Sequence, residues 1–158
     1  MSGFTTAAGI SYSTVTTTQQ APLGFTLVVP TPNTGNNTWI YVFNDEPADS
    51  FLQGMLIQRD LVTLTYDGII STGAISPQRI MGVAQHTIAA GSYGFILRDG
   101  IGQILCDGNV SQNTAVCPDA NAGQATDTGG PTAAALGVAL ANDAGAATKV
   151  AARIFCVG

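Results

Sequence analysis

Charge of either sign is scarce in this sequence. Five basic and ten acidic residues give the 158-residue chain a net charge of -5 and a charged fraction of 9%, against about 25% in an ordinary soluble domain. Proteins that bind duplex nucleic acid gain affinity from lysine and arginine side chains that neutralise phosphates. The basic residues here are scattered along the chain, at Arg59, Arg79, Arg98, Lys149 and Arg153. Nucleic acid is therefore not an expected partner.

Long apolar runs and paired cysteines are also missing. No run approaches the roughly 20 residues that span a bilayer, and the N-terminus lacks the basic start and apolar core of a secretory signal, so we expect no membrane contact. Cys106, Cys117 and Cys156 are odd in number and form no Cys-x-x-Cys pair. We interpret them as buried thiols, although the ten residues between Cys106 and Cys117 would allow a bond in an oxidising medium.

The side chains that catalysis requires are few. The chain has one histidine, His86, whose nearest acidic residue in sequence is Asp99, and no serine lies in a Gly-x-Ser-x-Gly elbow. Asp45, Glu46 and Asp49 lie in a predicted linker, whereas a glycosidase holds two carboxyl groups across a cleft. Phosphate-binding and calcium-loop spacings are absent from the sequence. We expect a protein that is not an enzyme and that uses no cofactor or metal ion.

The first 44 residues contain no Asp, Glu, Lys or Arg. A disordered tail stays solvated through high net charge and low hydrophobicity, and this segment has neither. We expect residues 1–44 to be ordered, either as an extended arm on a neighbouring subunit or as a strand pair of the same domain. The candidate contacts with another subunit or a capsid are its large apolar side chains, Phe4, Ile10, Tyr12, Trp39, Tyr41 and Phe43.

Two strands are predicted within this segment, over residues 24–29 and 38–43, with a turn rich in proline, asparagine and glycine between them. Trp39, Tyr41 and Phe43 share one face of the second strand, because successive side chains alternate sides. That face packs either on the core of the same domain or on another subunit. The prolines around the first strand favour an edge position, since proline cannot donate to the ladder.

Residues 45–158 are predicted to form the main domain, a compact all-β barrel or sandwich. Asp99-Gly100, between two apolar runs, is the clearest hairpin signal, and residues 107–131 are predicted to form a long surface loop. The region between Arg98 and Lys149 holds five aspartates and no basic residue, so it either faces solvent or meets a basic partner. The predicted strands are residues 51–57, 61–66, 79–85, 93–98 and 102–106, a strand from Leu136, and residues 149–157.

A short pattern occurs twice in the C-terminal half. Gly82-Val83-Ala84 and Gly137-Val138-Ala139 are each followed by a polar turn, an Ala-Gly pair and an apolar strand. Glycine permits close backbone approach or a positive φ angle. Two copies are too few for a solenoid, but they predict two similar hairpins in one domain.

This pattern resembles that of bacteriophage capsid decoration, or cement, proteins. The resemblance is carried by Ile80-Met81-Gly82-Val83-Ala84 with Ala89-Ala90-Gly91, and again by Leu136-Gly137-Val138-Ala139 with Ala144-Gly145. It covers the chain from Arg79 onward but not residues 107–131. It implies a small β-rich homotrimer on the capsid exterior that bridges major capsid subunits, with an N-terminal arm that reaches the shell.

We therefore expect a structural virion protein that binds the major capsid protein and stabilises the shell by burying contact area across subunit boundaries. It would be made in the host cytoplasm and located on the capsid exterior. Two alternatives stay open. One is a tail-tube or head-fibre structural protein, and the other is a carbohydrate-binding β-module that uses Trp39 or Tyr93 as a stacking platform.

Overall fold

The computed structural model describes residues 9–62, 66–73, 77–127, 135–145 and 147–156. Its regular structure is nearly all β, with a short 3-10 helix over Pro77–Arg79. The strands are β1 (Thr26–Thr31), β2 (Gly35–Asn44), β3 (Leu56–Arg59), β4 (Asp67–Ile70), β5 (Ile80–Val83), β6 (Tyr93–Leu105), β7 (Ala115–Pro118), β8 (Ala125–Thr126), β9 (Gly137–Ala139) and β10 (Lys149–Phe155). The expected all-β fold is confirmed.

The strand pairings close two rings that share one long strand. In the first ring, β2 pairs with β4, β4 with β3, β3 with β5, β5 with β6, and β6 again with β2. In the second ring, the second half of β6 pairs with β10, and β9, β7 and β8 follow. A bridge between Cys106 and Ala125 joins β8 back to the end of β6. The fold is therefore two small barrels fused through β6.

The two rings are copies of one five-stranded unit. In chain order, β2 to β5 and the first half of β6 correspond to the second half of β6 and β7 to β10. Ile57 pairs with Gly82 in the first ring, and Val116 pairs with Gly137 in the second. The antiparallel β3–β4 and β5–β6 pairs recur as β7–β8 and β9–β10. The two similar hairpins predicted from the sequence are confirmed, and they belong to a duplication that spans both rings.

Turns outside the strands repeat as well. The Gly54 amide donates to the Ala84 carbonyl at 2.7 Å, and the Asn113 amide donates to the Ala139 carbonyl at 2.8 Å. Gly54 and Asn113 have φ angles of 94° and 66°, a region that favours glycine and tolerates asparagine. The same backbone turn is therefore built from different residues in the two copies.

Each ring encloses apolar side chains at corresponding positions. The first ring contains Ile40, Val42, Phe51, Ile57, Met81, Ala84, Ile88 and Ile96. At the positions equivalent to six of these, the second ring contains Ile104, Val110, Val116, Leu136, Ala139 and Ala152. This second set belongs to a larger cluster that continues over the outer face of the first ring. The strands of the first ring, such as β5, are consequently buried on both faces.

The prediction of a hairpin at Asp99-Gly100 is wrong, because both residues lie inside β6. Gly100 has a φ of 139°, and a Cβ atom there would lie 2.1 Å from Asn37 Oδ1. The register between β2 and β6 shifts nearby, between Thr38 and Trp39. The strand is irregular at this dipeptide, where β6 passes from one ring to the other. The apolar residues before and after the dipeptide pack in different rings.

Two side-chain amides continue the hydrogen bonding of β6 beyond this dipeptide. Asn37 Nδ2 donates to the Ile101 carbonyl at 3.3 Å, and Asn37 Oδ1 accepts from the Ile101 amide at 3.0 Å. Gln85 forms the same pair of bonds with the backbone of Gln103, at 2.9 and 2.8 Å. Ile101 and Gln103 lie opposite Arg153 and Ala151 of β10, and side-chain amides supply the partners of these backbone groups.

The prediction of a strand over residues 61–66 is also wrong for residues 61, 62 and 66, and residues 63–65 lie outside the described residues. Leu61 and Val62 lie in the turn after β3, and β4 begins at Asp67. An Asp carboxylate that bonds to the backbone two residues on favours a turn, and Asp60 Oδ1 accepts from the Val62 amide at 3.0 Å. The aspartate overrides the β-branched and apolar composition of the run.

The predicted surface loop over residues 107–131 is structured in its described part. It contains β7 and β8, and residues 128–131 lie outside the described residues. The Gly123 amide donates to the Ser71 carbonyl at 2.8 Å, and its carbonyl accepts from the Leu56 amide at 2.9 Å. The segment is therefore anchored on the first ring instead of extending over the surface.

The uncharged first 44 residues contribute β1 and β2. β1 lies at the end of the strand order and pairs with β2, which confirms the edge position expected from its prolines. β2 lies within the first ring, between β4 and β6. The second half of this segment is accordingly part of the same fold as residues 45–156.

Gly137 lies where β9 and β10 approach closely. A Cβ atom there would lie 2.2 Å from the Arg153 carbonyl oxygen. We expect Gly137→Ala to lower the free energy of unfolding by about 1–3 kcal/mol, the usual cost of overpacking, in urea titrations followed by circular dichroism. Thr87→Ala, at an exposed turn position, should change it by less than about 0.5 kcal/mol. Equal unfolding free energies for the two variants would contradict the close approach.

Candidate interaction surfaces

The aromatic face of β2 packs on the core of its own chain. Trp39 and Tyr41 are 6% and 1% exposed. Phe43 is half-buried, and its ring centroid lies 4.8 Å from that of Tyr93. Of the two packing alternatives predicted for this face, the structure shows the core-facing one for Trp39 and Tyr41. Neither side chain is accessible to another subunit.

Residues 9–25, the N-terminal strap, lie across this aromatic face. Tyr12 stacks on Trp39 with 4.6 Å between ring centroids. Thr16 exchanges two backbone hydrogen bonds with Tyr93, at 3.1 and 2.8 Å. The strap is thus ordered by its own domain, through ring stacking and two ladder bonds, without any charged group.

The remaining predicted contact residues have different surroundings. Ile10 is half-buried against the larger core cluster, and Phe4 lies outside the described residues. Tyr12 is 37% exposed, so one face of its ring covers Trp39 while its edge meets solvent. The structure does not bring the described candidates together on one exposed surface.

The carbohydrate-binding alternative requires an exposed aromatic face. One face of Trp39 is covered by Tyr12, and the indole is almost fully buried. Tyr93 is half-buried between the rings of Tyr41 and Phe43, at centroid distances of 6.1 and 4.8 Å. Neither predicted platform presents a free ring face for a sugar to stack on.

His86 lies in the turn after β5, as a partly buried group. Its Nε2 atom is buried and has no hydrogen-bond partner among the described residues. Burial lowers the pKa of the imidazole below its ordinary value of 6.5, because desolvation disfavours the charged form. In the described ranges, three His, Cys, Asp or Glu side chains nowhere meet in a way that could hold a metal ion.

All three cysteines are buried, as expected, and the Cys106–Cys117 disulfide bond is not formed. Burial, reinforced by the charge of Asp143, raises the pKa of Cys106 to about 12. Burial also raises the pKa of Cys156 to about 12. Since the thiolate is the reactive form, these side chains serve packing. In the part of the chain that the structure describes, no helix is long and apolar enough to cross a membrane.

An exposed apolar surface lies in the turn between β3 and β4. Val62 is 88% exposed, the largest fraction among the large apolar side chains described, and Leu61 is 52% exposed. The Asp60 amide donates to the Asp67 carbonyl at 2.9 Å, which closes the base of the turn. We call residues 60–62 with Asp67 the β3–β4 turn. In its described part, this turn holds two apolar side chains in solvent.

Negative charge is crowded beside this turn. Desolvation raises the pKa of Asp45, and the charges of Asp67 and Asp60, together with a hydrogen bond to Asp60, raise it further. Arg59 lies over the ring of Tyr66, with 5.1 Å between the guanidinium carbon and the ring centroid. The charges of Asp60 and Asp67 therefore lie close enough to Asp45 to disfavour its ionisation.

Sequence reasoning missed this surface for two reasons. Asp45 was assigned to a linker, and Leu61 and Val62 to a strand. The available signal was Asp60 directly before two apolar residues, because aspartate favours turns in that position. The proximity of Asp45 and Asp67 carries no sequence signal, since it follows from the parallel β2–β4 pairing.

Comparison with known proteins gives one informative match. No protein-family model matches the chain, and no curated protein sequence matches it. Among solved structures, the N base of head fiber gp8.5 from bacteriophage phi29 is similar, with a TM-score of 0.50 and 15% identity, over 73% of this chain and 92% of that chain. The two chains share a fold. At this identity, the likeness carries no more than that.

The stacking of Tyr12 on Trp39, the one tryptophan of the chain, can be tested by fluorescence. Tyr12→Ala removes the ring that covers the indole, so the fluorescence emission should shift to longer wavelength as water reaches it. The free energy of unfolding should fall by about 1 kcal/mol or more, the contribution of a stacked pair with its buried area. Tyr12→Phe keeps the ring and should retain the emission of the original chain. A red shift in both variants would contradict the stacking.

The partial burial of His86 predicts how the melting temperature changes at low pH. Its pKa is lower in the folded chain than in the unfolded chain, so below about pH 6.5 the unfolded chain binds a proton that the folded chain resists. This difference in proton binding is absent at pH 8, and it lowers the free energy of unfolding as the pH falls from about 7 to 5. The melting temperature of His86→Gln should therefore decline less over this window than that of the original chain. Parallel melting curves across the window would show that His86 is not desolvated.

Proposed function

We propose that this chain is a structural protein of a bacteriophage virion that binds the outside of the head. The observation that carries the proposal is the likeness to the head-fibre base of phi29, which extends over 92% of that chain. The likeness concerns the fold, and the step from fold to role is ours. A head-fibre base fits the fold likeness directly, and a capsid decoration protein is the other head role considered.

The repeated Gly-Val-Ala pattern is explained by packing in both rings. A Cβ atom at Gly82 would lie 2.7 Å from the Leu97 carbonyl oxygen, and one at Gly137 would lie 2.2 Å from that of Arg153. Each glycine lets a strand approach the strand that follows it in the chain. The pattern therefore reports a hairpin of the ring, and it supports a decoration protein and a fibre base equally.

The polar surface of the chain suits contact with protein. The sequence contains 27 serine and threonine residues against 15 charged residues. Hydroxyl groups tolerate burial when they are hydrogen-bonded, whereas a charge taken out of water needs a partner. We propose the major capsid protein as the partner and a homotrimer as the assembly. In this role the protein acts by burying contact area and not as an enzyme.

The location of the protein is the first test. Virions of the phage that carries this chain should contain it by mass spectrometry of purified particles, and antibody labelling in electron micrographs should place it on the head exterior. Label on the tail would favour the tail-tube alternative. Particles that lack the protein entirely would refute a structural role in the virion.

A second measurement separates the two head roles. Particles made without the protein should lose heat resistance if it is a decoration protein, because the shell then lacks contacts across its subunit boundaries. If the protein is instead a fibre base, particles made without it should lack the fibre and keep the heat resistance of the shell. Deletion of residues 1–44 is not a usable variant here, because it removes β2 and opens the first ring.

A further inference from the structure

We propose that the β3–β4 turn is the part of the chain that binds the phage head, through an apolar pocket bordered by lysine or arginine side chains of a head protein. The identity of the partner rests on the proposed function. The apolar side chains that would enter the pocket are Leu61 and Val62, which are 52% and 88% exposed. Contiguous exposed apolar groups with a polar rim mark interaction sites.

The second ring provides an internal comparison for this turn. The β7–β8 turn is its copy. The Asp60 amide donates to the Asp67 carbonyl at 2.9 Å, and the Asp119 amide donates to the Gln124 carbonyl at the same distance, 2.9 Å. The two turns are therefore closed by the same backbone bond.

The aspartate side chains of the two turns also act alike. Asp60 Oδ1 accepts from the Val62 amide at 3.0 Å, and Asp119 Oδ2 accepts from the Asn121 amide at 3.1 Å. In the second ring, an asparagine therefore occupies the position that Val62 occupies in the first. The closing bond and the aspartate bond form in the second ring with Ala120 and Asn121, in a turn that is two residues shorter. Large apolar side chains such as Leu61 and Val62 are therefore not needed to form these two bonds.

The first ring also gains little packing from these two residues. Val62 is not a member of either hydrophobic core cluster, and neither is Leu61. An apolar side chain that stays in water contributes nothing to burial. Two neighbouring large apolar side chains that pack in neither core are available to a partner that covers them.

The negative charge near Leu61 and Val62 determines which kind of partner would bind them. The Asp60 amide donates to the Asp67 carbonyl next to the apolar pair, and the charges of these two aspartates repel that of Asp45. A basic rim on the partner would relieve this repulsion, whereas the anionic headgroups of a lipid surface would increase it. The partner is therefore a protein surface with positive charge around an apolar pocket.

A second copy of this chain does not supply such a surface. Its five basic residues are scattered, and four of them already contact groups of their own chain. These contacts are Arg59 with Tyr66, Arg98 with the Cys156 carbonyl, Lys149 with Gln53, and Arg153 with Asp99.

The test measures binding of the full chain to heads of virions that were assembled without it. The double variant Leu61→Ala with Val62→Asn gives the first turn the residues that the second turn has at Ala120 and Asn121, and it keeps Asp60. We expect its Kd for heads to rise at least tenfold. The matched control, Ala120→Ser with Asn121→Ser in the β7–β8 turn, should stay within twofold of the original chain. Unchanged melting temperatures verify that all variants are folded.

Two further experiments measure the salt dependence of head binding and the binding of the chain to membranes. Asp67→Asn should weaken the dependence of head binding on salt concentration, because one interfacial charge is removed. Binding of the original chain to phosphatidylglycerol vesicles, lost in the double variant, would overturn the choice of a protein partner. Sedimentation that shows self-association lost in the double variant would assign the turn to a second copy and overturn the proposal as well.

Failure of this inference is distinct from failure of the proposed function. If the original chain does not bind heads at all, the proposed function is wrong. If the original chain and the double variant bind heads equally well, the protein is a head component, but the β3–β4 turn is not its attachment surface.

Discussion

The backbone ladder of β6 is the interaction on which both rings depend. Its first half pairs with β2 and completes the first ring, and its second half pairs with β10 and begins the second. A slip of one residue in either pairing would turn every side chain of that half to the opposite face. Because the two halves are one continuous strand, the register of one ring constrains the other. The bend at Gly100 and the amides of Asn37 and Gln85 let this strand leave one ring and enter the next with its backbone groups still bonded.

The duplicated rings agree in their backbone and differ at their turns and outer faces. The apolar positions correspond from Val42 and Ile104 to Ile96 and Ala152, since both copies must fill a closed ring. The outer face of the first ring is covered by the N-terminal strap. The β3–β4 turn carries Leu61 and Val62 where the β7–β8 turn carries Ala120 and Asn121. A difference between the two rings is where a specific role is expected, and the proposed interaction surface lies at such a difference, on the first ring.

Much of the fold could be predicted from local patterns, and the interaction surface could not. Alternation of buried and exposed residues in β10 and the β-branched run of β2 mark strands wherever they pair. Asp99-Gly100 carries the same local signal as a hairpin, and only the neighbouring strands decide that it bends β6. Leu61 and Val62 have strand composition, and the Asp60 side chain holds them in a turn. The sequence did not decide whether the aromatic face of β2 packs in the core or on another subunit. Both kinds of burial require the same aromatic side chains, whether the chain's own strap or another subunit covers them.

The sequence by itself determined the all-β class, the edge position of β1 and the buried thiols, because alternation, proline and low charge act through the residues that carry them. The tertiary structure alone decided that β2 to β10 close into two rings, that β6 belongs to both, and that two apolar side chains remain in solvent near three aspartates. These features depend on which strands lie side by side across tens of residues. Pairing at that distance is set by the packing of the whole core, and no short run of residues specifies it.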